Sequence, residues 1–345
     1  MRARSALFTL FGDVVRPAGG DAWLTCLTAC MGALGFSPEA TRTALHRMTA
    51  EGWVAPRKVG RYAVYRLTDK GVDRLEEAAA RIYRLRAVGW DGCWRLLAAG
   101  EPVRDEGPLG RALHWMGFGR LSSDLWVSPH PHGARLTRLL ADHGLGDRAV
   151  RFLASGSAEP VASGSAKPVA DGPAEQLADG GATAQDARIV ATAWDLGALR
   201  QAHTEFIDRW TAVAASDDPR EAFETRIRLV HHWRSFLFLD PGLPAPLLPP
   251  DWLGHAAAGT FRDLYQAVDQ PAWTFYDALA AEGPPLPGVA VRPRHRSASP
   301  FARGLDALHT PVMPRAVDPP RLSGSAADLG LSGSAADPEP SRSPR

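Results

Sequence analysis

Apolar residues recur every three or four positions over residues 3–16, where Leu7, Leu10, Phe11 and Val14 form one stripe. That period predicts a helix. Pro17 through Asp21 reads as a turn, and Trp23, Leu27 and Met31 step by four through a second helix that ends near Leu34. Ser37-Pro38-Glu39-Ala40 then opens a third. Ser suits an N-cap because its hydroxyl accepts from a free backbone N–H, and Pro suits the first helical position, where no N–H is needed. Ala40, Ala44, Leu45 and Met48 share the apolar face of this helix, Arg42, His46 and Thr49 the opposite side, and Thr43 and Arg47 flank it. Gly52 is a helix stop. Two short strands follow, Trp53 to Pro56 and Tyr62 to Leu67, around the basic turn Arg57-Lys58-Val59-Gly60-Arg61. Three helices and a basic hairpin in this order predict a winged helix-turn-helix, whose third helix enters a major groove while the hairpin touches the flanking backbone.

The pattern continues as a helix from Thr68 to about Arg86, read as a connector that either packs on the winged domain or contacts a second subunit. Residues 94–98, 118–121, 125–127 and 149–154 read as strands, with helices over 104–116 and 132–143. The order β-α-β-β-α-β is that of a ferredoxin-like sandwich. Residues 155–170 hold the near-duplicate SGSAEPVA and SGSAKPVA, and small polar residues continue to 187. Such a stretch buries nothing and reads as a flexible linker. Residues 189–194 read as a strand or extended entry; helices are expected over 195–215, 219–239 and 256–282, with Pro271 kinking or interrupting the last. From 284 the chain is rich in Pro, Arg, Ser and Ala and reads as disordered. The expected fold is therefore α+β. It comprises a winged domain with its connector (1–88), a ferredoxin-like domain (89–154), a linker (155–187), a helical domain (188–283) and a tail (284–345).

Charge sharpens this picture. The whole chain carries only +1, but residues 1–66 hold nine Lys/Arg against four Asp/Glu. An asymmetry of this kind points to an anionic partner for one end. Thr41, Arg42, Thr43, His46 and Arg47 are the candidate base readers, since Arg matches guanine edges. Arg57, Lys58 and Arg61 are candidates for backbone or minor-groove contact. The bland alternative for each is a solvated surface cation. No run of about 18 apolar residues predicts a membrane span, and Asp13 interrupts the N-terminal apolar patch, so no signal peptide is read. Three cysteines fit a reducing cytoplasm. Cys26 and Cys30 could form a metal pair, but two thiols without further ligands read better as small apolar residues. No metal or cofactor is expected.

The segments Leu7 through Asp13, Arg42-Thr43-Ala44-Leu45, Glu51-Gly52-Trp53, Gly60-Arg61 and Tyr65-Arg66-Leu67-Thr68 together resemble the PaaX family, the transcriptional repressors of phenylacetic acid degradation. The likeness extends to Ala193-Trp194-Asp195-Leu196, to Leu229-Val230-His231 with Arg234, and to Phe238 through Pro244. It implies a winged helix, a central domain similar to the Cas2 fold and a helical C-terminal domain. It also implies a homodimer on double-stranded operator DNA, released by an aryl-acetyl-CoA such as phenylacetyl-CoA. His231, Arg234, Asp240 and Trp194 are then the candidate effector residues, with Arg234 offering a cation to a CoA phosphate. The bland reading of Arg234 is a helix-end ion pair, and that of Trp194 is core packing. A regulator without a small ligand is the competing reading. Two enzyme readings are weaker. A Cas2-like metal nuclease would want a carboxylate just after the first strand, where Ala98-Ala99-Gly100 stands and Asp91 lies before it; a thioesterase would want a nucleophile elbow, and no G-x-S-x-G occurs.

Overall fold

The N-terminal segment begins with helix α1 (Ala3–Leu10), which runs directly into a π-helical turn over Phe11–Val15. The computed structural model describes residues 1–84, 90–155 and 182–283; the expected linker beyond 155 and the tail from 284 lie mostly or wholly outside them. Strand β1 (Asp21–Trp23) follows, where the sequence pattern suggests a turn running into a helix. Three residues are too few to show an alternation, so only pairing reveals the strand. Helices α2 (Leu24–Ala33) and α3 (Pro38–Ala50) come next, then β2 (Val54–Val59) and β3 (Tyr62–Leu67). The antiparallel sheet has the order β1-β3-β2. Its hairpin turns on Gly60-Arg61, with Gly60 at φ +58°, a conformation glycine adopts without strain. Helix α4 (Asp69–Arg84) starts beyond Thr68, whose hydroxyl accepts from the Gly71 amide at 3.2 Å and donates to the Gly52 carbonyl at 2.6 Å.

The central domain contains β4 (Cys93–Ala98), α5 (Pro108–Trp115), β5 (Gly119–Arg120), β6 (Leu125–Ser128), α6 (Gly133–Asp142) and β7 (Val150–Ser155). Its sheet order is β5-β6-β4-β7, the arrangement a ferredoxin-like sandwich requires. Leu97 and Trp126 on one sheet face meet Leu109 and Leu113 of α5 and Leu136 and Leu140 of α6. On the other face Trp94 and Val127 pack with Val190, Leu243 and Leu247.

Val190 belongs to a helix, α7 (Ala184–Ala193), so residues 189–194 are not the expected strand. The helix also claims residues 184–187 from the expected linker. Thr183 and Asp186 form a reciprocal capping box, with the Thr183 hydroxyl accepting from the Asp186 amide and the Asp186 carboxylate accepting from the Thr183 amide. That cap favours helix over the extended entry that Ile189 and Val190 suggest. Helices α8 (Leu196–Thr211), α9 (Pro219–Trp233), α10 (Phe236–Leu239) and α11 (Gly254–Ala281) complete the described chain. The expected 219–239 helix thus breaks in two, whereas α11 runs through Pro271.

One core joins the winged segment to these last helices. Leu7, Leu10, Phe11, Leu27 and Met31 belong to the same buried cluster as Ile227, Val230, Phe261 and Val268. At its centre Arg226 of α9 lies 1% exposed between Asp13, at 2.7 Å, and Asp269, at 2.7 Å, and donates to the Tyr265 hydroxyl at 2.6 Å. Burial works against the Arg226 charge, but Asp13, Tyr265 and Asp269 outweigh it and hold the group more firmly protonated than an ordinary arginine. Burial, with Asp13 and Asp269, pushes the Tyr265 phenol well up despite Arg226, so it stays a donor, to Asp13 at 2.9 Å.

Candidate nucleic-acid interface

Ser37 sets the pitch of α3. Its side chain accepts from the Ala40 amide at 3.2 Å and its carbonyl accepts from the Thr41 hydroxyl at 3.0 Å. The inward face is Thr41, Ala44, Leu45 and Met48. Arg42, Thr43, His46 and Arg47 point outward and are exposed. Thr41 therefore leaves the set of base readers. It is fully buried and its hydroxyl is spent on the helix's own first turn, so it shapes the helix and does not reach a groove. Arg42 is 59% exposed, with Glu39 3.8 Å away. Hydrogen bonding from its own backbone amide, then from Ser37, holds the Glu39 carboxyl below its ordinary range.

The wing presents Arg57, Lys58 and Arg61, all exposed. No acid occurs between Val54 and Leu67. Arg61 donates to the Tyr62 hydroxyl at 2.9 Å and lies 5.1 Å from that ring's centroid, which aims it along the hairpin. The carboxylate that organises the wing comes from β1. Asp21, its side chain 2% exposed, accepts two hydrogen bonds from Arg66, at 2.7 and 2.8 Å, and lies 3.7 Å from Arg57. Arg57 is thus tethered at one end yet still half in solvent. The clamp is invisible in sequence, because Asp21 and Arg66 are 45 positions apart.

The four effector candidates do not form one pocket. Arg234 donates to the Thr9 hydroxyl at 2.6 Å and His231 Nδ1 lies 3.4 Å from the same oxygen, so both tie α9 to α1. Burial first, then Arg234, lowers the His231 pKa to about 4. Asp240 accepts from the Gly242 amide at 2.8 Å and shapes the turn after α10. Trp194 stacks on Trp94 with ring centroids 6.1 Å apart, and it lines a cavity of about 700 Å³ with Thr183, Val190, Leu196 and Leu247. Gly119 permits that stacking, since a Cβ there would come within 2.5 Å of the Trp194 ring. Among the described residues no three His, Cys, Asp or Glu side chains are placed to share a metal ion. Asp91 is engaged by Arg95. Cys26 and Cys30 are buried in α2, with the Cys30 thiol pushed up by hydrogen bonding to Cys26 and by burial.

One grouping that the sequence pattern leaves unmarked is a set of cations on α4 and α6. Lys70 and Arg74 sit one turn apart, as do Arg135 and Arg138, and the spacing is readable, but the meeting of the two helices is not.

Comparison with known proteins agrees with this architecture. Residues 2–71 match the description "PaaX-like protein", 87–166 "PaaX protein central Cas2-like domain" and 194–278 "PaaX-like protein C-terminal domain". The chain is 32% identical over 279 residues to "Transcriptional repressor PaaX" of Escherichia coli (strain K12), covering 79% of this chain and 82% of that one. It is also similar to the solved structure of "Uncharacterized protein Rv0674 from Mycobacterium tuberculosis", at 22% identity over 81% of this chain and 98% of that chain, with a TM-score of 0.49. Three matched segments in family order, and an identity spread over four fifths of both chains, place it: the chain belongs to the PaaX family.

Proposed function

We propose that this protein is a transcriptional repressor of an aromatic, phenylacetate-type catabolic operon. It binds operator DNA as a homodimer and is released by an aryl-acetyl-CoA such as phenylacetyl-CoA. The observation that carries the DNA half is the exposed row Arg42, Thr43, His46 and Arg47 on α3, beside a wing with three exposed cations and no acid. A helix of that face fits a major groove, and cations on the flanking hairpin neutralise phosphates. A two-fold pair of such readers fixes half-site spacing. The ligand then acts through differential affinity, favouring a dimer geometry that mismatches that spacing. A repressor works where the DNA is, in the cytoplasm. Consistent with that, no described helix is long and apolar enough to cross a membrane.

Band-shift titration of the operator upstream of the neighbouring catabolic genes tests both halves. Specific binding that phenylacetyl-CoA abolishes supports the whole reading. Specific binding that no acyl-CoA disturbs removes the ligand and leaves the competing regulator without an effector. Absence of sequence-specific binding removes the reader.

A further inference from the structure

A wide, solvent-open cleft lies between the first turns of α4 and the outer face of α6, lined by Trp53, Lys70, Asp73, Arg74, Arg135 and Arg138, with about 770 Å³ of accessible space over it. Small-molecule sites fall in the range of roughly 300–1,000 Å³. Four of the six lining side chains are cations and one is a carboxylate. They come in two pairs, Lys70 with Arg74 and Arg135 with Arg138, each spaced to share one helix face. The two faces belong to units with separate cores, Leu75 of α4 packing into the winged core and Leu136 and Leu140 of α6 into the central one.

Two of the cations are held in place, both on α4. The Lys70 ammonium lies 4.3 Å from the Trp53 ring centroid and donates to the Glu51 carbonyl at 2.8 Å. The Arg74 guanidinium lies 3.8 Å from the Trp115 ring centroid. Burial lowers the Arg74 pKa, and burial followed by the Arg74 charge lowers that of Arg135, so the two guanidinia sit close enough to repel. Like charges held together in a partly desolvated cleft raise the energy of the empty site and lower it when an anion enters. Guanidinium forks match phosphate oxygens in pairs, and an ammonium supplies a compact charge beside them.

We propose that this cleft binds a small organic anion carrying two or more phosphate groups, which bridges α4 of the winged segment to α6 of the central domain. The inference rests on the effector reading for the ligand's identity, and it locates that ligand's charged end. Bridging gives the ligand a handle on the reader, because α4 follows β3 of the wing directly.

Isothermal titration of the full chain in phosphate-free buffer, with adenosine 3′,5′-bisphosphate and then inorganic pyrophosphate as probes, tests the cleft. The variant Lys70→Glu/Arg138→Glu changes two exposed side chains; Arg188→Glu/Arg220→Glu changes the same charge at exposed positions elsewhere. The expected result is binding to the unaltered chain, at least tenfold weaker in the cleft variant and less than twofold weaker in the control. No heat at millimolar probe, or equal weakening in both variants, overturns the site. So does a cleft variant that keeps bisphosphate affinity and loses affinity for random duplex, since the cations would then serve DNA. Phenylacetyl-CoA release of operator from the cleft variant at unaltered concentration would sink the cleft and spare the effector. Bisphosphate binding without release by any acyl-CoA would do the reverse.

Discussion

Replacing Arg226 with Met tests how the DNA-reading segment is fixed to the C-terminal helices. Arg226 reaches across the shared core to Asp13, on the π-helical turn after α1, and to Asp269 on α11. Methionine keeps most of the volume and removes the charge. Asp13, fully buried, then keeps only the Tyr265 hydroxyl at 2.9 Å, while Asp269, 13% exposed, retains some access to water. Leaving one partner of a buried pair uncompensated costs about 3–5 kcal/mol, against a total stability of about 5–15 kcal/mol. For a unit of this size each kcal/mol moves Tm by about 2–4 °C, so Arg226→Met lowers Tm by about 6–20 °C. Asp13→Asn/Arg226→Met neutralises the buried carboxylate as well and recovers most of the loss, because the cost of a broken buried pair lies chiefly in the charge left uncompensated. Calorimetric unfolding of the two single variants and the double one gives the coupling energy directly. Losses that simply add, or a single-variant loss below about 1 kcal/mol, would refute the reasoning. The network would then be a surface-like pair in a wet crevice.

Arg42→Ala weakens operator binding by about 1–3 kcal/mol if Arg42 reads a base, whereas Lys58→Ala weakens specific and random duplex alike and flattens the salt dependence by about one ion. Band shifts at several salt concentrations separate the two, and equal losses of Arg42→Ala on both DNAs would reduce it to a phosphate contact. Gly119→Ala drives a methyl group into the Trp194 ring and the Ala193 carbonyl. It should cost about 1–3 kcal/mol as overpacking in thermal unfolding, and a neutral result would mean the Trp94–Trp194 stack is loose. His231 and His132 both titrate near pH 4 in the fold, each lowered first by burial, His132 then by His130 and Arg95. A free histidine takes its proton near 6.5. The unfolded chain therefore binds more protons than the fold between these values, and stability falls as pH drops from about 6.5 to about 4. His231→Gln removes part of that slope in Tm measured from pH 7 to pH 5; an unchanged slope would place His231 in solvent.

What the sequence reveals here follows the range of the interactions. Ser37, the apolar face of α3, the basic turn and the β-α-β-β-α-β order are set by neighbours within a few positions, and each matches the structure to within a few residues. The same holds for the outward set on α3, except Thr41. A 3.6-residue period places position 41 only one step from Arg42, and the first turn resolves which side faces in. Residues 189–194 show the opposite case. Ile189 and Val190 favour a strand locally, but the Thr183–Asp186 cap and the packing of Val190 on Trp94 decide for helix. The long-range pairs leave no local mark. Asp13 and Arg226 are 213 positions apart, Thr9 and Arg234 225. These contacts turn two expected domains into one core. They also explain why His231 and Arg234 look like a ligand site in sequence: polar residues next to an apolar helix face have to serve something, and here they serve Thr9 of α1. A motif that joins elements and a motif that binds a ligand draw on the same residue types, so composition cannot separate them. Geometry can, and here it gives Arg234 and His231 a shared neighbour in Thr9.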